Sequence, residues 1–356
     1  MSMSISATDF GTLDQIVAST AQVQQNITQL ANETSSGYLS SNYAGLGQAA
    51  APSLDMSAQI SQTAALQTNA QSAATIQSAA QSALGQIESV TSSFATQAIN
   101  LANQPGAVTN IASAAQGAMQ QVAALLNTKV GDVYVFAGQD SSNPPIPNPT
   151  TMTQSAFYTA IQTAVAGLTT NGAAATQAAA LTAATTPANT PFSATLVASD
   201  APSEVDLGDG QRVTLAPLAN ANSDAVSGGV GTTSTGSYTS DILYGLASLG
   251  SLTTAQSTDS NFLPFVQGVI TTLNGAVSSI NTDIGALGSR QVQVNTAQTD
   301  LGETSTALQT QLSNLQDADL SQVAAKLSQA QTQLQASYQI LASLGTLSLA
   351  KFLPAA

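Results

Sequence analysis

Cysteine and histidine are both absent from the 356 residues. Their absence removes disulfides, thiolate nucleophiles, imidazole bases and Cys/His metal sites in one stroke. Charge is nearly absent as well. Asp, Glu, Lys and Arg together make up 7% of the chain, against roughly a quarter in ordinary soluble proteins. Ala, Ser, Thr, Gln and Asn take their place, so salt bridges cannot be the main force between copies. What charge remains is one-sided. Lys+Arg 5 against Asp+Glu 19 gives a net charge of −14, which argues against nucleic acid or an anionic membrane as partner. Solubility of an Ala-rich surface is the simple reading of that acidity. Long apolar runs are missing too: those present are Ala-rich and broken by Gln, Ser and Thr, so no membrane insertion is expected. Met1 to Phe10 has neither a basic cluster nor an apolar core, so no cleavable secretion signal is expected.

What is present is helical periodicity at both ends. Leu13, Ile16, Val23, Ile27 and Leu30 step by threes and fours, interrupted by Thr20. Leu320, Val323, Leu327, Ala330, Leu334, Leu341 and Leu344 keep the same step, interrupted by Ser337. Each run predicts a helix with one narrow apolar stripe, and such a stripe needs a partner to bury it. These eleven apolar positions, Ala330 aside, are the candidate subunit-packing residues. No catalytic residue, cofactor or metal ligand is assigned.

The spacing predicts a first helix from about Asp9 to Glu33, stopped at Ser35-Ser36-Gly37, where Gly accepts the left-handed cap conformation. Asn42-Tyr43-Ala44-Gly45-Leu46-Gly47 reads as a loop, and Pro52 suits the first turn of a long helix through Asn103. Its later half carries Ile76, Ala80, Ala83, Ile87, Val90, Phe94, Ala98 and Leu101 on one face, and Gln104-Pro105-Gly106 ends it. A third helix aligns Val108, Ile111, Ala115, Ala118, Val122 and Leu125, ending near Lys129. Then the period changes. Val133-Tyr134-Val135-Phe136 has strand character, and the Pro144–Pro149 run forbids helix. Residues 152–236 read as the least regular part, in which Glu204 to Leu215 forms strand, Asp-Gly turn, strand. This middle reads either as a small, separately folded β-containing domain or as a low-complexity insertion. Helix returns at Asp241 and from Leu263 to about Leu315. It breaks at Asp317-Ala318-Asp319, where Asp319 and Gln322 match a capping box; a stutter in a continuous helix is the alternative.

The expected fold is therefore mainly α, a coiled-coil-like helical rod built from both termini with a small β-containing outer domain in the middle. Its parts are core helices at 1–40 and 317–356, a helical shell at 41–140 and 241–316, and the outer domain at 141–240. Asp206 and Asp209 flank Gly208 as a cation site would, but a hairpin turn accounts for them. Lys326 and Lys351 fit solvated helix charges better than active amines. The middle shows no internal repeat of the kind a surface-layer protein or adhesin would carry.

The pattern resembles the bacterial flagellin family, and within it the hook-associated protein 3 branch at the hook–filament junction. Leu315-Gln316-Asp317-Ala318-Asp319-Leu320 looks like the step that opens the last flagellin helix, followed here by Leu327 to Tyr338. The ending Leu347-Ser348-Leu349-Ala350-Lys351-Phe352-Leu353 is more like the junction branch than the filament branch. Leu30 to Gly37 sits where the family has its Leu-Ser-Ser-Gly turn, and Gly131 to Gly138 is similar to the segment leading to the junction protein's outer domain. The Asn-Ser-Ala-Lys-Asp-Asp-Ala-type run that follows that turn in the family is missing. The resemblance implies a structural, non-enzymatic flagellar subunit outside the cell, exported by the flagellar type III channel. Its implied partners are other copies of itself, the larger hook-associated protein, flagellin, and an export chaperone on the C-terminal helix. The filament subunit itself stays open as the alternative.

Overall fold

The computed structural model describes residues 7–198, 201–222, 224–225 and 234–350, with side chains inside the terminal helices from 14 to 343. The chain forms two compact units: Met1–Ala64 with Glu303–Ala356, and Ala65–Gly302. Both are built on long helices, with β-structure confined to two short antiparallel pairs among the described residues. Mainly α with a small β part is thus the observed class.

In the larger unit, the second half of helix α2 (Ala50–Asn103), α3 (Val108–Leu126), α8 (Tyr238–Gly250) and the first part of α9 (Phe262–Gln316) share one apolar core. Helix α8 is its centre, with every residue from Asp241 to Gly250 buried. A helix apolar on all sides belongs inside, and its glycines let neighbours close in. Its last turn is capped by side chains: Tyr158 Oη and Gln116 Nε2 donate to Gly250 O at 2.7 and 2.8 Å. Burial raises the Tyr244 hydroxyl to about 12 and pushes the Asp241 carboxyl up. Two buried carboxylates hold the chain just before α8. Asp283 Oδ1 accepts from Asp224 N and Ala225 N at 2.8 and 2.7 Å, and Asp241 Oδ1 accepts from Thr235 N at 2.5 Å.

The largest departure from the sequence reading lies between residues 141 and 240. The first half of the stretch that composition marks as irregular is largely helical: α4 (Ala156–Ala166), α5 (Leu168–Asn171), α6 (Ala173–Thr185) and α7 (Ala194–Ala198). Phe157, Ile161, Val165 and Leu168 step by fours and threes and are buried. Ser155 caps α4 by accepting from Tyr158 N at 3.2 Å. These helices join the same core as α3 and α8, so the segment is not packed as a body apart. Composition obscured a short periodicity that was present.

The hairpin is as read. β3 (Glu204–Asp206) pairs antiparallel with β4 (Arg212–Thr214), Val205 opposite Val213. Its turn needs left-handed backbone at Gly208, Asp209 and Gly210, with φ of 98°, 52° and 75°. Asp206 Oδ1 accepts from Gly208 N at 2.9 Å, so the turn employs the acid that resembled a cation ligand. The hairpin packs on α2 and α9 in a second, smaller cluster of Ala70, Ala73, Leu207, Val213, Val294 and Ala297. The other strand pair is shorter than the sequence suggests: β1 (Lys129–Val130) and β2 (Val133–Tyr134), turned at Gly131. Helix α3 ends at Leu126 to make room for it.

Gly138 shows how tightly the unit closes. Its φ is +63°, and a Cβ there would lie 2.5 Å from Leu218 Cδ2 and 2.7 Å from the carbonyl oxygen of Ala201. The oxygen belongs to the backbone and cannot rotate away. Gly138→Ala is expected to cost about 3 kcal/mol, combining left-handed strain with overpacking. Urea denaturation of the two proteins measures this directly; a change under about 1 kcal/mol would show that the loop relaxes freely.

Candidate assembly interface

The smaller unit has almost no core. Among its described residues only six are buried: Thr20, Glu33, Ser53, Thr63, Ser305 and Val323. One of the six is apolar. All other fully buried apolar side chains lie in the larger unit. Unit size does not explain this contrast; the helices do. Helices α1 (Ala7–Ser36) and α10 (Leu320–Ala350) offer one narrow stripe each, and two narrow stripes facing each other leave both flanks in solvent.

The two stripes meet within one chain. Helix α1 stops as its sequence predicts: Gly37 has φ +76° and its N–H donates to Glu33 O at 2.9 Å. The break between α9 and α10 lies beside it. Leu39 N donates to Gln316 O and Ala318 N donates to Gly37 O, both at 2.8 Å, forming a one-residue antiparallel bridge. Asp319 then starts α10, its Oδ1 accepting from Ser321 N and Gln322 N at 3.0 and 3.2 Å. The capping half of the predicted box is present, and the restart reading replaces the stutter.

Running back from this bridge, α1 and α10 are antiparallel, and Gln24 Nε2 donates to Tyr338 Oη at 2.5 Å. Each stripe has one polar interruption, Thr20 on α1 and Ser337 on α10. Each hydroxyl bonds its own helix: Thr20 Oγ1 donates to Ile16 O at 2.8 Å and Ser337 Oγ to Gln333 O at 3.0 Å.

Of the predicted packing residues, Val323 is buried, and Ile16, Val23, Ile27, Leu30, Leu327, Leu334 and Leu341 are half-buried. Leu320 is not in the seam. It is 51% exposed, because the helix restarts there beside the bridge. The side chains of Leu13 and Leu344 lie outside the described residues, as do Lys351 and the end of the Leu347–Leu353 motif. Sequence reasoning missed other large apolar groups left in solvent on this unit: Val17, Tyr38, Leu39, Tyr43, Leu54, Tyr338 and Ile340, each more than 40% exposed. They lie off the main stripe, so periodicity could not single them out.

Among the described residues no group of three or more potential metal ligands comes together, and no helix is long and apolar enough to cross a membrane. A half-solvated seam flanked by exposed apolar side chains is a surface suited to a protein neighbour. Residues 270–353 match the family model of the bacterial flagellin C-terminal helical region. No curated protein sequence matches the chain. Among solved structures, the fold is similar to that of a Vibrio parahaemolyticus protein described as a flagellar hook-associated protein. The TM-score is 0.52 at 10% identity, over 75% of this chain and 97% of the other. Residues 270–353 are thus similar to the C-terminal helical region of bacterial flagellins, and the chain shares its fold with that hook-associated protein.

Proposed function

We propose that this protein is the junction subunit between hook and filament, and that its paired terminal helices form the inner core of a tubular assembly. The observation that carries the reading is the smaller unit, with its seam left half in solvent and a single buried apolar side chain among its described residues. Fully burying a Leu or Ile stabilises by about 1.5–3 kcal/mol, so neighbouring copies recover what the lone pair forgoes. In this reading the core helices at 1–40 and 317–356 lie innermost, the segments 41–140 and 241–316 form the shell, and 141–240 faces outward. Its partners are other copies of itself, the larger hook-associated protein and flagellin. An export chaperone covers the C-terminal helix before the chain leaves the cell.

The filament subunit is the second reading. The likeness to a hook-associated protein and the Leu347–Leu353 ending favour the junction. Deleting the gene should leave hooks in place while filament subunits are made and lost to the medium. The purified protein alone should not grow long filaments, because its two ends are fitted to different neighbours. Long filaments grown from this chain alone, or its dominance among extracellular proteins, would transfer it to the filament class.

A further inference from the structure

Three places in the chain set an acid or amide side chain directly before glycine: Asn171-Gly172, Asp209-Gly210 and Asn274-Gly275. The three share one chemistry. A glycine nitrogen, with no Cβ beside it, can reach the preceding side-chain carbonyl carbon and close a five-membered succinimide ring. In an unfolded chain the asparagines react first, because an amide is a better target for a nucleophile than a carboxylate. The fold reverses that order.

The difference lies in what holds each glycine N–H. Asn274 stands inside α9, where the helix ladder takes up every N–H. Asn171 ends α5, and Gly172 N donates to Leu168 O at 3.2 Å. At the hairpin tip the bonds pass around the pair instead. Leu207 N donates to Gln211 O and Gln211 N donates to Gly208 O, both at 2.9 Å. Among the described residues neither Gly210 N nor the Asp209 carboxylate has a hydrogen-bond partner. Both residues are exposed, and a Cβ built on Gly210 would meet nothing within 4 Å. Asp209 is also the one non-glycine residue with positive φ among those described, at 52°. Left-handed backbone is costly for a residue with a Cβ, so the rotation that brings Gly210 N to Asp209 Cγ starts from a strained state.

We propose that Asp209-Gly210 is a modification site, at which Asp209 isomerises spontaneously to isoaspartate in the folded protein ahead of either asparagine. Gly210 N attacks Cγ of the protonated carboxyl. A C–N bond forms, and the carboxyl hydroxyl leaves as water with the amide proton. Water then opens the ring. Cleavage at Cγ restores aspartate, whereas cleavage at the main-chain carbonyl leaves the chain running through Cβ and Cγ. Nothing is oxidised or reduced, and water is the only reactant. The product carries one more main-chain carbon inside a turn that the two Gln211 bonds close, so the hairpin loosens where Leu207 and Val213 pack.

The test uses purified full-length protein and no flagellum, so it stands apart from the assembly reading. The folded protein is held for weeks in water enriched in heavy oxygen, then digested and read by mass spectrometry with electron-transfer fragmentation. Every passage through a ring leaves a heavy oxygen, and isoaspartate gives its own backbone fragments. Label and isoaspartate at Asp209 should exceed label at either asparagine by at least about tenfold, since an exposed turn opens at far lower cost than a packed helix. In concentrated urea Asn171 and Asn274 should lead instead. Asp209→Glu, which would need a six-membered ring, should lose the signal at that position and leave the asparagines unchanged. Absence of label at Asp209 in the folded protein, or an asparagine that leads there, would overturn the proposal. So would the same order in folded protein and in urea, since the fold would then not be what selects the site.

Discussion

Leu334→Asp is expected to abolish incorporation into the flagellum, yet to leave the larger unit folded. Leu334 is half-buried in the lone chain. There a carboxylate can still reach water, and the cost to the isolated subunit is on the order of 1 kcal/mol. In the assembly the same position loses its water, and the unpaired charge costs several kcal/mol. Leu327→Asp should act alike. The sign of this effect separates two kinds of interface. Contacts made by aliphatic groups, amides and hydroxyls depend weakly on salt, because the Debye length of about 8 Å at physiological strength screens only charges. Assembly should therefore persist in 0.5 M salt, a condition about as strong as needed to silence surface pairs. Sedimentation of isolated flagella with and without salt, beside incorporation of the two variants, provides the comparison. Dissolution by salt as complete as the loss on substitution would mean that ion pairs hold the subunits.

Amide hydrogens of α1 and α10 in the purified monomer should exchange at least 100-fold faster than those of α8, the largest contrast expected in this molecule. Opening α8 means unpacking Tyr238, Tyr244, Leu243 and Leu246, all 2% exposed or less, from the main core. It opens only with the whole unit, at a cost of about 5–15 kcal/mol. Opening the terminal pair exposes little beyond Val323 and a half-wet seam. A difference of about 2.7 kcal/mol already gives the 100-fold ratio. Limited proteolysis should accordingly trim the chain before about Gly37 and after about Asp317, and leave a resistant middle. The bridge between Gly37–Leu39 and Gln316–Ala318 is the natural limit of that trimming. Equal protection of α1 and α8 in a proven monomer would show that the pair is stable by itself, and that completion by neighbours is not what the smaller unit lacks.

The helices at both ends were legible in the sequence because their signals are local. Threes-and-fours spacing, Gly37 as a left-handed cap and Asp319 as an N-cap act within one or two turns. The Glu204–Leu215 hairpin was legible for the same reason, its Asp-Gly turn being a property of a few adjacent residues. So was the near absence of charge, which bounds the kinds of interface available to any fold of this chain. The helices of 156–198 were not read, since Ala, Thr, Gly and Asn dominate the composition there and the deciding residues, Phe157, Ile161, Val165 and Leu168, form only one short stripe. Leu320 looked like a seam residue by spacing alone; its place beside the bridge, 51% exposed, follows from a restart whose geometry depends on residues 37–39.

Sequence alone determined that this chain has apolar-striped ends, few charges and no catalytic cysteine or histidine. Only the tertiary structure decided that the stripes face each other within one chain, and that the helices of residues 156–198 join the main core. It also decided that the terminal pair remains half in solvent. Periodicity records which side of a helix is apolar, whereas burial depends on how many neighbours cover that side, and two helices cannot cover each other completely.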